Sequence, residues 1–198
     1  MPSPSTLKQA LIASAINRFG SVEAGRRIFD SIRLSKVVYK LPSEFTIFQV
    51  LLKRLKKARF KEGFDSTFGM REYVIYKDPL SIMIKVSHEV MDDVSETFLH
   101  IRYLGTSDSI CRCTKIERIE NIGEYVGKPL ESEDDLKRQV IVYLLSDFTQ
   151  KADFDKVDAY KRVKLTDEDI RLVPYIFPIR VVRRGRNHTT YRMSNLVS

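Results

Sequence analysis

Residues 43–61 run Ser43-Glu44-Phe45-Thr46-Ile47-Phe48-Gln49-Val50-Leu51-Leu52-Lys53-Arg54-Leu55-Lys56-Lys57-Ala58-Arg59-Phe60-Lys61. The period assigned to them decides how the whole chain is built. Phe45, Phe48, Leu52 and Leu55 recur at helical spacing, and Pro42-Ser43 offers a cap, so the stretch predicts a third amphipathic helix. Its far end gathers Lys53, Arg54, Lys56, Lys57, Arg59 and Lys61, cations that also suit the negative end of a helix dipole.

Upstream, Pro2-Ser3-Pro4 is a short lead into a first helix. Leu7, Leu11, Ala15, Ile16 and Phe19 form its stripe, and Gly20 is a natural stop. Ser21 caps a second helix bearing Val22, Ile28, Phe29 and Ile32, and residues 36–41 are β-rich and extended. Gly63 and Gly69 bracket a loop. Beyond it the pattern predicts strands at 71–77, 80–86, 97–104 and 111–119, with turns at 78–79 and 105–108 and a loop at 123–129. The continuous apolar run 140–145 predicts a strand buried on both faces. Residues 152–163 predict a helix, and Thr166 with Asp169 resembles a capping box. The chain closes in a hairpin, 175–183 and 188–193 about the turn 184–187.

The expected class is α+β, with N-terminal helices followed by a mainly antiparallel sheet and one or two short helices. Two parts are expected, a basic and mainly helical 1–61 and an α+β body 62–198 ending in an Arg-rich hairpin, or one domain made of both.

The 198 residues carry 34 Lys+Arg against 26 Asp+Glu, a net +8. That charge is segregated: residues 1–61 are net +10, residues 62–169 net −8, and residues 170–198 hold six Arg and no acid. Eleven Phe and nine Tyr argue against disorder, and no apolar run approaches the ~18 residues of a membrane span. Met1 to Val22, basic and free of acids, resembles a mitochondrial presequence in composition and fits a surface helix equally well. With only Cys111 and Cys113 there is no disulfide framework, so a reducing intracellular site is expected, in cytoplasm or nucleus.

Signatures of catalysis fail one by one. The run Gly123-Glu124-Tyr125-Val126-Gly127-Lys128-Pro129 has the wrong spacing for a phosphate loop, and Pro129 stands where Ser or Thr belongs. Cys111-Arg112-Cys113 puts two thiols on one face of a strand, but no second Cys pair completes a zinc site. Asp134-Asp135-Leu136-Lys137 reads as a solvated charge run rather than a nuclease centre, and no nucleophile elbow occurs. No metal or cofactor is expected, and a non-enzymatic role is expected, with a small enzyme of unrecognised type as the third reading.

The basic clusters carry the functional reading. Lys53, Arg54, Lys56, Lys57, Arg59 and Lys61 form one, and Arg180, Arg183, Arg184, Arg186 and Arg192 the other, with Tyr191 nearby. Arg suits bidentate phosphate contact and base stacking. The expected partner is RNA, DNA or a nucleoprotein, with an anionic membrane surface and self-association as alternatives. A winged-helix reading, with 43–57 as recognition helix and 58–77 as wing, is opposed by the long extended link before residue 43.

The second half also resembles a rhabdovirus matrix protein. Ile101-Arg102-Tyr103-Leu104-Gly105-Thr106-Ser107 would be a strand ending in Leu-Gly, followed by the buried strand 139–147, a polar helical stretch and a final hairpin from Phe177. The resemblance implies a non-enzymatic protein of the virion that is membrane-associated, links nucleocapsid to membrane and self-assembles. The N-terminal half departs from that family, having no Pro-Pro-x-Tyr motif.

Overall fold

A computed structural model of the chain describes residues 1–59, 62–105, 109–122, 126–137, 139–158, 161 and 163–194. The α+β reading holds, with helices first and antiparallel sheet after.

The first helix, α1 (Pro4–Phe19), begins where Ser3 accepts a hydrogen bond from the Thr6 amide and Pro4 takes the first turn. It ends at Gly20, whose φ of 64° lies in the left-handed region where a Cβ is strained. Leu7, Leu11, Ile12, Ala15 and Ile16 are all buried, so the helix runs through the core. A presequence is removed after import, whereas this helix supplies core side chains, which corrects the presequence reading of Met1 to Val22. α2 (Val22–Ile32) packs Ile28, Phe29 and Ile32 inward; Ser21 precedes it as expected but makes no side-chain capping bond. Lys8, fully buried on α1, donates to Asp147 Oδ1 at 2.6 Å and to the Arg33 carbonyl at 2.9 Å.

Next come β1 (Val37–Lys40), β2 (Glu44–Lys57), β3 (Phe64–Tyr76) and β4 (Ser81–Ile84). The third helix predicted over 43–57 is therefore a strand, the largest correction to the sequence reading. The same residues also alternate, and Phe45, Thr46, Ile47, Phe48 and Val50 favour a pleated surface. Thirteen consecutive pairs, Phe45–Tyr76 through Lys57–Phe64, fix this register, and the expected 63–69 loop is absorbed into β3. The winged-helix reading and the helix-dipole account of the Lys/Arg cluster fall with the helix.

α3 (Met91–His100) occupies much of what was predicted as the strand 97–104. Asp92 and Asp93 sit in its first turn, and Ser95 and Thr97 hydroxyls each bond back four residues, to the Met91 and Asp93 carbonyls at 2.7 Å. The predicted strand 111–119 forms no ladder; its neighbourhood shows one bridge, Tyr103 to Ile110. Residues 106–108 of the expected turn, and 123–125 of the expected loop, lie outside the described residues.

The remaining elements are β5 (Lys128–Pro129), β6 (Ile141–Phe148), α4 (Phe154–Val157), β7 (Ile170–Phe177), β8 (Ile179–Arg184) and β9 (His188–Met193). Three ladders result, β1-β4, β5-β7-β6 and β3-β2-β9-β8. Reciprocal bonds between Tyr39 and Gly127, at 2.8 and 2.7 Å, tie the first ladder towards the second. A methyl on Gly127 would lie 2.2 Å from the buried Phe177 ring, so only glycine fits. The run 140–145 does form a strand, but an edge strand with Leu144 62% exposed, not one buried on both faces. Of the helix predicted at 152–163 only α4 is present, and residues 159, 160 and 162 lie outside the described residues.

Asp169 is fully buried and accepts from the Thr166 amide at 2.8 Å, the Thr166 hydroxyl at 2.6 Å and Lys156 Nζ at 2.9 Å. This is the geometry expected of Thr166 with Asp169, except that the turn leads into β7 rather than a helix. Burial alone would raise the Asp169 pKa, but Thr166 and Lys156 outweigh it and hold the carboxyl at about 2, below its ordinary 3.8. The folded state thus binds this proton less readily than the unfolded chain. The stability contributed is complete above the unfolded pKa and is lost as pH falls from about 4 towards 2. Urea midpoints taken at pH 7, 4 and 3 should fall more steeply for the native chain than for D169N.

Candidate nucleic-acid interface

The sheet β3-β2-β9-β8 has two chemically distinct faces. Phe45 pairs with Tyr76 on one side and Tyr191 on the other, and Ile47 pairs with Val74 and Thr189. Phe45 is 4% exposed and stacks on Tyr191 at 5.2 Å, so this is the inner face, packed on the core. Strand alternation places the intervening residues on the outer face.

The rows of that outer face follow from the register. One row is Arg180–Arg192–Glu44, and the next is Arg183–Thr190–Thr46–Ile75, with the two Thr hydroxyls 2.9 Å apart. Then come His188–Phe48–Tyr73, Val50–Arg71, Leu52–Gly69, Arg54–Thr67 and Lys56–Asp65. Arg180, Arg183, Arg71, Arg54 and Lys56 therefore lie on one side of a single sheet. Same-face neighbours along a strand are about 7 Å apart and neighbouring strands about 4.8 Å, which sets the spacing of these charges.

The last β9 partner of β2 is Phe48, and the Gln49 amide still reaches the Asn187 carbonyl at 2.9 Å. Beyond that point β2 and β3 continue alone as a two-stranded arm, about 30 Å long for residues 49–57 at ~3.4 Å each. Leu51, Leu55, Phe68 and Met70 are each 67% exposed, so among the described residues no other layer covers its inner face.

The two basic clusters predicted from the sequence are thus brought together, though not every member is equivalent. Arg54 and Lys56 fall on the outer face of the arm, while Lys53 and Lys57 fall on its inner face. Arg59 is exposed at the tip, and Lys61 lies outside the described residues. Arg180 and Arg183 are exposed on the outer face, Arg184 is paired with Thr189 on the opposite face, and Arg186 is exposed in the hairpin turn. Arg192 shares the outer face but is held by Glu44, with its Nη2 2.6 Å and its Nε 3.2 Å from Oε2. Its charge is largely matched within the protein.

Arg71, His188 and the aromatics Phe48 and Tyr73 escaped the sequence reading. Phe48, Val50, Leu52 and Arg54 share a face only at strand period, and the helical period of Phe45, Phe48, Leu52 and Leu55 hides it. The acidic run 133–136 is structural: Asp135 accepts from the Glu131 and Ser132 amides and pairs with Lys128 at 2.7 Å. Cys111 and Cys113 are half-buried free thiols off any strand, and burial raises the Cys111 pKa. Among the described residues no three His, Cys, Asp or Glu side chains are grouped to hold a metal ion.

Fold and face together define an α+β protein with an open, cationic sheet surface extended by a projecting hairpin. No family model matches the chain. It is similar to a curated protein, the CRISPR-associated protein Cas5 of Archaeoglobus fulgidus, at 34% identity over 167 residues, covering 81% of this chain and 72% of that protein. The chain belongs to the CRISPR-associated Cas5 family.

Membership of that family overturns the matrix-protein resemblance, and with it the virion and membrane-associated roles. The structure gives the physical reason. The supposed strand ending in Leu104-Gly105 is a non-strand segment following α3, and the supposed buried strand is a half-exposed edge. No helix among the described residues is long and apolar enough to cross a membrane.

Proposed function

We propose that this Cas5-family chain is a non-enzymatic RNA-binding component of a CRISPR ribonucleoprotein, acting in the cytoplasm on the transcript of a CRISPR locus. The observation that carries this reading is the convergence of two sequence-distant basic hairpins on the outer face of one sheet. Arg54 and Lys56 come from one hairpin and Arg180 and Arg183 from the other, with Arg71 between. Family membership supports RNA over the other polyanions that such a face would attract.

In this reading the Arg side chains grip phosphates and the arm reaches along the strand. Five phosphate contacts on single-stranded RNA give a slope of about −3.5 in log affinity against log salt. Anisotropy of a labelled single-stranded RNA titrated with the full chain, between about 50 and 200 mM salt, measures this directly. Binding that is absent, or indifferent to salt, would rule the reading out. The RNA is expected to be recovered intact. A defined cleavage product would instead favour a nuclease reading, for which His188, an imidazole on the outer face, is the first residue to test.

A further inference from the structure

We propose that the row His188–Phe48–Tyr73 on the outer face is a stacking platform for an unpaired base of the bound RNA. The inference rests on the RNA-binding reading and adds that the RNA is single-stranded where it crosses this row.

Three observations converge. Phe48 and Tyr73 are directly opposed on β2 and β3, and their rings stack with centroids 5.7 Å apart and planes 24° from parallel. They lie on the opposite face from Phe45 and Ile47, so the core does not account for them. The row also stands between cations. Arg183 is one same-face step to one side and Arg71 one step to the other, so a strand gripped at both passes over the aromatics.

A cross-strand aromatic pair also steadies a hairpin, and Phe48–Tyr73 does so at the point where β9 stops and the arm leaves the sheet. That role explains two apolar side chains but not their place within a basic face. Phe48 and Tyr73 are half-buried, which leaves part of each ring exposed, and β3 is the edge strand of this sheet among the described residues. Every base presents a π-face, so such a platform accepts any base but requires it to be unpaired. His188 at the other end of the row lies against Gly185, where a Cβ would come within 2.1 Å of its ring.

The test compares the full-length chain with F48L/Y73L, using a single-stranded RNA, its fully paired duplex, and the same strand carrying 2-aminopurine. The native chain should bind the single strand more tightly than the duplex and change the 2-aminopurine fluorescence on binding. F48L/Y73L should bind the single strand roughly 10- to 100-fold more weakly, with an unchanged salt slope, because stacking is not electrostatic. F48Y/Y73F keeps both rings and should restore affinity and the fluorescence change, and a native far-UV circular dichroism spectrum for F48L/Y73L separates lost stacking from a damaged fold. If F48L/Y73L binds as tightly as the native chain, or the duplex binds as well as the single strand, the platform is overturned while RNA binding stands. If the native chain binds no RNA, both readings fall.

Discussion

Replacing Arg54, Lys56, Arg180 and Arg183 together by Gln lowers affinity for single-stranded RNA by about a hundredfold or more at low salt, and flattens the salt dependence by about 3. The size follows from counterion release, since each phosphate contact on a single strand contributes roughly 0.7 to the slope. The four residues come from both hairpins and lie on one face, so they should act as a single surface. Replacing Arg18 and Arg118, which pair with Glu96 and Asp92 elsewhere in the fold, should leave both affinity and slope unchanged. If those control substitutions cost as much as the four, binding is a property of net charge and the face has no privilege. All four lie on exposed surface, so the variant should keep the native urea midpoint.

The largest effect on stability is expected from Lys8. Its ammonium is fully buried between Asp147, itself 14% exposed, and the Arg33 carbonyl. Burial lowers the Lys8 pKa and Asp147 opposes that shift, so the charged form depends on its carboxylate. Lys8→Ala takes the cation from the nearly buried Asp147 carboxylate, which keeps its bond from the Phe148 amide at 2.8 Å, and takes a donor from the Arg33 carbonyl, a loss of about 3–5 kcal/mol. Against the ~5–15 kcal/mol of a typical domain, that is a large share of the total. Urea unfolding should show the midpoint falling accordingly. The double substitution Lys8→Met with Asp147→Leu should recover much of the loss, because a well-packed apolar pair replaces a buried ion pair at little cost. A shift below about 1 kcal/mol for Lys8→Ala would mean that water reaches the pair.

The legible parts of the fold were those in which local signals agreed. α1 has a Ser cap, a Pro in its first turn, an apolar stripe and a terminal glycine, and every one of these is used. The closing hairpin was readable from Ile179 onward, since β-rich strands flank a turn holding Gly185 and Asn187, but Tyr175–Phe177 of its expected first arm end β7 in the other sheet. The unreadable part was β2, where apolar residues satisfy both periods: Phe45, Phe48, Leu52 and Leu55 for a helix, Phe45, Ile47, Leu51 and Leu55 for a strand. What decides between them is pairing with β3 and β9, a long-range contact that no local window contains. α3 failed for the converse reason. Thr97, Phe98 and Leu99 favour strands locally, but an acidic first turn and the burial of Val94 and Thr97, with Ser14 of α1 donating to the Thr97 carbonyl, hold a helix.

The site was half legible. Composition named the two basic clusters, and charge segregation set them at the two ends of the chain. Only the strand register showed that they share a face, and that Arg71, Phe48 and Tyr73 lie among them. Arg192 and Arg184 show the limit of composition: one is neutralised by Glu44 and the other falls on the opposite face, though both read as equal members of an Arg run.

The central claim is that RNA lies along the outer face of β3-β2-β9-β8. Photo-crosslinking of bound single-stranded RNA to the full chain, followed by mapping of the modified peptides, tests it most directly. Crosslinks should concentrate in residues 44–57, 64–76 and 179–193, with Phe48 and Tyr73 among the modified side chains. Crosslinks confined to α1, α2 or the β5-β7-β6 sheet would contradict it.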